Sequence, residues 1–264
     1  MSFFDHPAPF VFAHRGGRAL APENTLLAFE AGVAAGADGL ECDVRLSRDG
    51  VPVVIHDATL DRTTDLTGPV SARTAADLAR ADAASHFEQD GRFPWRGQGI
   101  GIPTLADVLR RHPDRRIIVE LKDNLPELGA AVAAILRREP ALERICAAGF
   151  GAHPVQAVRR LLPEVATSAH MAEVRSALYA SWVGWPRRGV YGGFQVPEVR
   201  GGWRVVSPRF VRAAHRAGHR VQVWTVNDEV DMRRLFDWGV DAVITDVPDV
   251  AVRRVAAWRA KASR

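Results

Sequence analysis

The sequence predicts an α/β fold, a (β/α)₈ barrel of the TIM type with a small insertion after its second strand. Three observations lead there. Short apolar runs alternate with longer amphipathic segments along the whole chain, the pattern of parallel strands joined by right-handed helical crossovers. Eight such units can be drawn. The length, 264 residues, suits one closed barrel better than an open doubly wound sheet.

Taken in order, the strands are expected at Phe10–Ala13, Gly39–Leu46, Arg116–Leu121, Ile145–Gly149, Val165–Ser168, Gly193–Val196, Arg220–Thr225 and Ala242–Thr245. Helical patterns lie between them at Thr25–Ala35, Leu105–Arg111, Pro126–Arg138, His153–Leu162, Ala172–Trp182, Pro208–Ala217 and Val230–Trp238, and a last helix runs from Val250 to about Ala262. Asp49-Gly50 is a turn that folds the end of the second strand back onto Val53-Val54-Ile55. Thr104-Leu105-Ala106-Asp107 reads as a capping box. Gly218 and Gly239 stand just past apolar helical segments, where a helix ends. From Asp57 to Pro103 no clear strand is visible, and Thr, Asp, Gly and Pro are frequent. That stretch is expected to be an inserted cap at about 57–103 of a single domain spanning 1–264. Its Phe87, Phe93 and Trp95 are expected to form a local cluster, and the aromatic, basic run Trp182–Tyr191 to be held by core and loop packing rather than by a membrane surface.

Composition bounds the rest. Hydrophobic residues make up 47% and charged residues 25%, an ordinary globular balance. Two cysteines, Cys42 and Cys146, form no zinc or redox motif and fit a reducing compartment. No basic-then-apolar leader and no run of 18 apolar residues is seen, so a cytoplasmic protein without stable membrane insertion is expected. Net charge is +4 with a pI near 9.6. The basic residues are scattered, so the surplus argues for anionic small molecules before nucleic acid. Of 35 basic residues only Lys122 and Lys261 are lysine, which draws attention to each.

Barrel enzymes carry their reactive groups at the C-terminal ends of strands. His14-Arg15 closes the first strand, Glu41 and Asp43 lie within the second, His56-Asp57 follows the return strand, Glu120 and Lys122 finish the third, and Trp224-Thr225 closes the seventh. Residues two apart on a strand share a face. Glu41 and Asp43, with Glu120 on the next strand, therefore bring three carboxylates together near the barrel mouth. At ~4 Å and an effective dielectric of ~20, each ionised pair repels by about 4 kcal/mol. Arg15, Arg45 and Lys122 could neutralise such a group in a plain ion-pair network. For three acids beside two histidines, a hard divalent ion, Mg²⁺ or Ca²⁺, is the better reading, because all the ligands are oxygen. His14 and His56 can take and give protons near neutral pH. Arg15 suits bidentate phosphate contact and Lys122 a point-charge contact. Two acid/base groups, one hard cation and two phosphate-binding cations make an inventory for phosphoryl transfer.

His14-Arg15-Gly16-Gly17, Pro22-Glu23-Asn24-Thr25, Glu41-Cys42-Asp43-Val44, His56-Asp57 with Leu60-Asp61-Arg62-Thr63-Thr64, Ile102-Pro103-Thr104-Leu105, Glu120-Leu121-Lys122, Trp224-Thr225-Val226-Asn227 and Gly239-Val240-Asp241 through Asp246-Val247-Pro248 together resemble the glycerophosphodiester phosphodiesterase family. The match runs in order over nearly the whole chain. The resemblance implies hydrolysis of glycerophosphodiesters to glycerol 3-phosphate and an alcohol. It implies metal ligation by Glu41, Asp43 and Glu120, acid/base catalysis by His14 and His56, phosphate binding by Arg15 and Lys122, and a glycerol pocket walled by Trp224. Two departures bear on substrate fit: Gly149-Phe150 stands where many relatives read Ser-Phe, and Gly99-Ile100-Gly101 where relatives often carry a glutamate. The rival readings are a lysophospholipase D-type enzyme, with the insertion's aromatics forming an acyl slot, and a non-catalytic barrel that binds anionic ligands.

Overall fold

A computed structural model describes residues 3–185 and 187–262. Its elements in chain order are β1 (Phe10–Ala13), α1 (Leu26–Ala34), β2 (Gly39–Leu46), β3 (Pro52–Val54), α2 (Ala75–Leu78), α3 (Leu105–Arg111), β4 (Arg116–Leu121), α4 (Pro126–Leu136), β5 (Ile145–Ala148), α5 (Ala152–Leu161), β6 (Ala166–Thr167), α6 (Met171–Trp182), β7 (Gly193–Pro197), β8 (Val199–Arg200), β9 (Trp203–Arg204), α7 (Pro208–Arg216), β10 (Arg220–Trp224), α8 (Glu229–Asp237), β11 (Ala242–Thr245) and α9 (Pro248–Ala262). The strands β1, β2, β4, β5, β6, β7, β10 and β11 pair in parallel around a barrel, and β11 returns to β1. Between β6 and β7 the seam is a lone parallel bridge, Ser168 to Gly193, with bonds from Ala169 N to Gly193 O (2.9 Å) and Gly192 N to Thr167 O (3.0 Å). The β3 return strand lies antiparallel on β2.

Alternation along the strands sorts side chains between two environments. Phe10, Phe12, Ile118, Cys146, Ala148, Ala242 and Ile244 form one buried cluster, closed off by Phe3 and Phe4 from the segment before β1. Their neighbours Val11, Leu40, Val119, Ala147 and Val243 pack in separate clusters with the helices. Gly39 is required here: a Cβ would stand 2.5 Å from Phe12 Cε1. Caps fall as the residue types demand. Thr104 and Asp107 form the capping box of α3, Thr25 accepts from Ala28 N at the start of α1, and Gly218 ends the α7 turn at φ +86°.

The insertion is built differently from expectation. Its apolar centre is Leu60, Val70, Leu78, Ala81, Ala83 and Ile102 against Val53 and Ile55. Phe87, Phe93 and Trp95 lie outside that cluster, and Phe93 is exposed under the Arg96 guanidinium, 3.6 Å from its ring centre. The run after α6 also departs from the sequence reading. Tyr191 is buried, but Trp182, Val183, Trp185 and Val190 are exposed, so the core does not hold them; Trp182 rests on Tyr179 and Trp203 instead.

Asp241 ties three elements at the start of β11. Its buried carboxylate accepts from Val221 N (2.8 Å), His215 Nε2 (2.7 Å) and Arg220 Nη1 (2.7 Å). Burial opposes its ionisation, but those three donors outweigh burial and hold the carboxyl below its ordinary range. Asp241→Asn is expected to cost roughly 2–3 kcal/mol in urea unfolding at neutral pH, the scale of hydrogen bonds to a buried charge. A depressed folded pKa gives stability that is present above the unfolded value near ~3.9 and lost as pH falls through the folded one. The gap between the two proteins should therefore narrow below about pH 4.

Candidate active site

The cluster-forming face of each strand, followed upward, turns from apolar to charged. On β2 it runs from Gly39 to Glu41 and Asp43; on β4 from Ile118 to Glu120, with Lys122 just beyond; after β1 it reaches His14, and after β11 Asp246. Strand register sets Asp43 beside Glu120. One oxygen from each of Glu41, Asp43 and Glu120 lies within 4.8 Å of the others.

Glu41 Oε2 accepts from Arg15 N at 2.9 Å, while its buried Oε1 has no hydrogen bond. Asp43 is gripped by Asn24, whose Nδ2 donates to Oδ2 at 2.9 Å and whose Oδ1 accepts from Asp43 N at 3.2 Å. Arg15 Nε stands 3.2 Å from Asp43 Oδ2, and Lys122 Nζ lies 3.3 Å from Asp43 Oδ1 and 3.2 Å from Glu120 Oε1. Arg45 does not join them; it pairs with Asp123 and donates to His56 O. Three acids thus share two cations, and Arg15 is also engaged by Glu23 at 2.8 Å. Burial and then Asp43 push Glu41 up to about 8, and the same causes raise Glu120. Asp43 moves the other way: burial resists, but Lys122 and Arg15 prevail. A buried, unpartnered Glu41 oxygen within an all-oxygen set short of positive charge fits a hard divalent cation.

The histidines flank this set, each backed by a carboxylate. His14 Nδ1 meets Asp246 Oδ1 at 2.7 Å, which leaves Nε2 3.9 Å from Glu41 Oε2. Burial would lower its pKa, but Asp246 and Glu41 carry it upward. His56 Nδ1 meets Asp57 Oδ1 at 2.5 Å. Here burial prevails and the pKa falls despite Asp43 and Asp57. The pKa values of the two imidazoles thus move in opposite directions.

Behind them runs a brace. Arg62 donates to Asp57 (2.5 Å) and doubly to Glu23 (2.8 and 2.7 Å), and Glu23 accepts from Arg15. Burial resists the charge on Glu23, yet Arg62 and Arg15 hold it down at about 2. The insertion therefore serves the site through Arg62. Asp246 is braced by Asn227 Nδ2 at 2.8 Å. Asp246, Asp57, Glu23, Asn24 and Asn227 all lie in the quoted motifs, but sequence reasoning gave them no role. A carboxylate adjacent to a histidine, as in His56-Asp57, was the signal available; the Asp246 bond spans 232 positions and left none.

His14, Arg15, Glu41, His56, Glu120, Lys122 and Trp224 line a single cavity of about 510 Å³; Asp43 is buried beneath it. Trp224 packs edge-on against Phe150, ring centres 5.6 Å apart. Gly149 lies on the wall, where a Cβ would stand 3.1 Å from Leu121 O, so a larger residue there must displace its neighbours slightly. No residue of 57–103 lines the cavity. Its outer wall comes from α6 and the β8–β9 hairpin instead. Among the described residues no helix is long and apolar enough to cross a membrane.

Comparison with known proteins places this geometry among relatives. The profile of the Glycerophosphoryl diester phosphodiesterase family matches residues 14–250. A glycerophosphodiester phosphodiesterase of Bacillus altitudinis is 31% identical over 252 residues, covering 92% of this chain and 96% of the relative. Another, of Bacillus subtilis, is 30% identical, covering 90% and 83%. Among solved structures, an Oleispira antarctica phosphodiesterase in complex with the product sn-glycerol-3-phosphate superimposes with a TM-score of 0.80 at 28% identity, covering 97% of this chain and all of that one. A glycerophosphoryl diester phosphodiesterase domain of Mycobacterium tuberculosis gives 0.80 at 27%, covering 96% and 99%.

Proposed function

The chain belongs to the glycerophosphoryl diester phosphodiesterase family, and from that premise we propose that its cavity cleaves glycerophosphodiesters to glycerol 3-phosphate and an alcohol. The observation that carries the assignment of residues is the meeting of three carboxylates with two carboxylate-backed histidines in one cavity. Glu41, Asp43 and Glu120 hold a divalent cation, Mg²⁺ or Ca²⁺, which when bound supplies positive charge to phosphate oxygens and eases deprotonation of a nearby hydroxyl. Arg15 and the Lys122 ammonium hold the phosphate. Trp224 bounds the glycerol. The chain acts as one barrel unit, 1–264, with 57–103 as an appendage that braces His56 rather than roofing the site.

The glycerol 2-hydroxyl is the first nucleophile in this reading. One histidine takes its proton as its oxygen bonds to phosphorus, and the other protonates the departing alcohol as the old P–O bond breaks. Water then opens the cyclic phosphate with the two roles reversed. Internal attack exploits proximity, which in well-oriented cases is worth ~7–11 kcal/mol. Glycerophosphocholine and its analogue with hydrogen in place of the 2-hydroxyl form the test. The first should be turned over and the second should bind but survive. Similar rates for both would mean that water attacks directly, and no turnover of either would remove the assignment.

A further inference from the structure

The cavity is larger and more apolar than a glycerol phosphate needs. From α6 it is lined by Met171, Val174, Arg175, Leu178, Tyr179 and Trp182, spaced three and four apart and so lying on one stripe of the helix. In most helices of a barrel such a stripe is buried. Here Met171 is 46% exposed, Tyr179 54% and Trp182 45%, while burial falls on Ala177 and Ser181. The facing wall is the β8–β9 hairpin, where Trp203, 67% exposed, stacks on Trp182 with ring centres 6.3 Å apart. Apolar surface left in water costs about 25 cal/mol per Å² relative to burial. An open apolar cleft continuous with a reaction centre therefore points to a ligand that covers it.

Charge narrows the occupant. Among the described residues the only acids lining the cavity, Glu41 and Glu120, belong to the proposed cation site, and the outer wall adds Arg175 and Arg200 instead. Arg200 sits over the Phe150 ring at 4.8 Å. Aromatic rings can hold a quaternary ammonium, but two arginines beside them disfavour a cation. The rings also lie in a row along one wall, Tyr179 on Trp182 and Trp182 on Trp203, rather than as a cage around a cation.

We propose that the cleft between α6 and the β8–β9 hairpin is a subsite for one acyl or alkyl chain, so that the preferred substrates are phosphodiesters carrying a single long apolar tail. The proposal rests on the hydrolytic reading above and specifies its substrate class. The chain is either esterified to the glycerol, as in a lysophospholipid, or borne on the departing alcohol.

The intact protein provides the test. Calorimetric titration with alkylphosphocholines of increasing length, below their micelle concentrations, should show affinity rising about twofold per added methylene, where complete burial would give roughly fourfold. Trp203→Ala should flatten that series, whereas Trp185→Ala, exposed but off the cavity wall, should leave it unchanged. In parallel, kcat/KM is measured on 1-acyl lysophosphatidylcholines and on glycerol phosphodiesters of alkyl alcohols. The arm that rises with chain length identifies the source of the chain. A flat binding series in a protein that still turns over glycerophosphocholine overturns the chain subsite alone. A rising series with no diester turned over overturns the hydrolytic reading and leaves the chain subsite standing. A dimer in sedimentation that Trp203→Ala dissolves assigns the cleft to a second copy and overturns the proposal.

Discussion

Alanine in place of His14 or His56 is expected to lower kcat by about 10²–10⁴-fold, the range of a lost general acid or base. The loss should fall on kcat with little change in KM, because neither imidazole is assigned to hold the ground-state phosphate. Each substitution also strips a partner from a carboxylate, Asp246 or Asp57. Thermal unfolding must therefore be measured beside the kinetics, and a preserved midpoint separates chemistry from folding. The double variant should lose far less than the product of the single losses, because the two groups serve one proton relay. Near-normal turnover in either single variant would take that histidine out of the mechanism.

Exhaustive chelation is expected to abolish turnover, and Mg²⁺ or Ca²⁺ to restore it. Glu41→Gln should raise the cation concentration needed for half-activation by at least about tenfold, a loss of ~1.4 kcal/mol in binding. Its effect on the metal-free protein has the opposite sense. There Glu41 is a buried carboxyl crowded by Asp43 and Glu120, with one oxygen lacking any hydrogen bond. Above about pH 8, where Glu41 ionises, removing its charge relieves that crowding, so the metal-free melting temperature should rise there and hold at neutral pH. The stabilisation that added cation gives the wild type, which follows RT ln(1 + [L]/Kd), should largely vanish. Full activity after verified cation removal, or an equal cation response in both proteins, would overturn the ligand assignment.

The barrel was legible because its signals are local. Phe10 and Phe12 alternate with Val11 and Ala13, and Glu41 and Asp43 continue the same period of two, so face and order follow from spacing alone. Strand ends were harder: β5 stops at Ala148 and β6 keeps only Ala166–Thr167, because pairing across the sheet, not propensity, decides them. The acids, histidines and Lys122 stood out because each lies within a strand on the inward face or just past a strand end. The braces were missed because Asp246, Arg62 and Glu23 act across long separations that leave no periodic trace. The aromatic wall was misplaced for a different reason. The insertion's aromatics drew the acyl slot there, whereas the 174, 178, 182 spacing on α6 was visible but given no role. An apolar stripe looks the same whether a neighbouring helix or a ligand covers it.

The narrow join between β6 and β7 has a mechanical consequence. The helices outside the barrel pack as two shells, one centred on β2, β4 and β5 and the other on β7, β10 and β11. On the β1–β11 side a four-residue register fastens the shells; on the other side little more than the Ser168–Gly193 bridge does. The helix that bears the aromatic wall starts three residues after that bridge. The molecule is thus a clasp with a firm back and a light catch, and the catch lies on the cavity wall, where Ser168 and Ala169 belong to the lining.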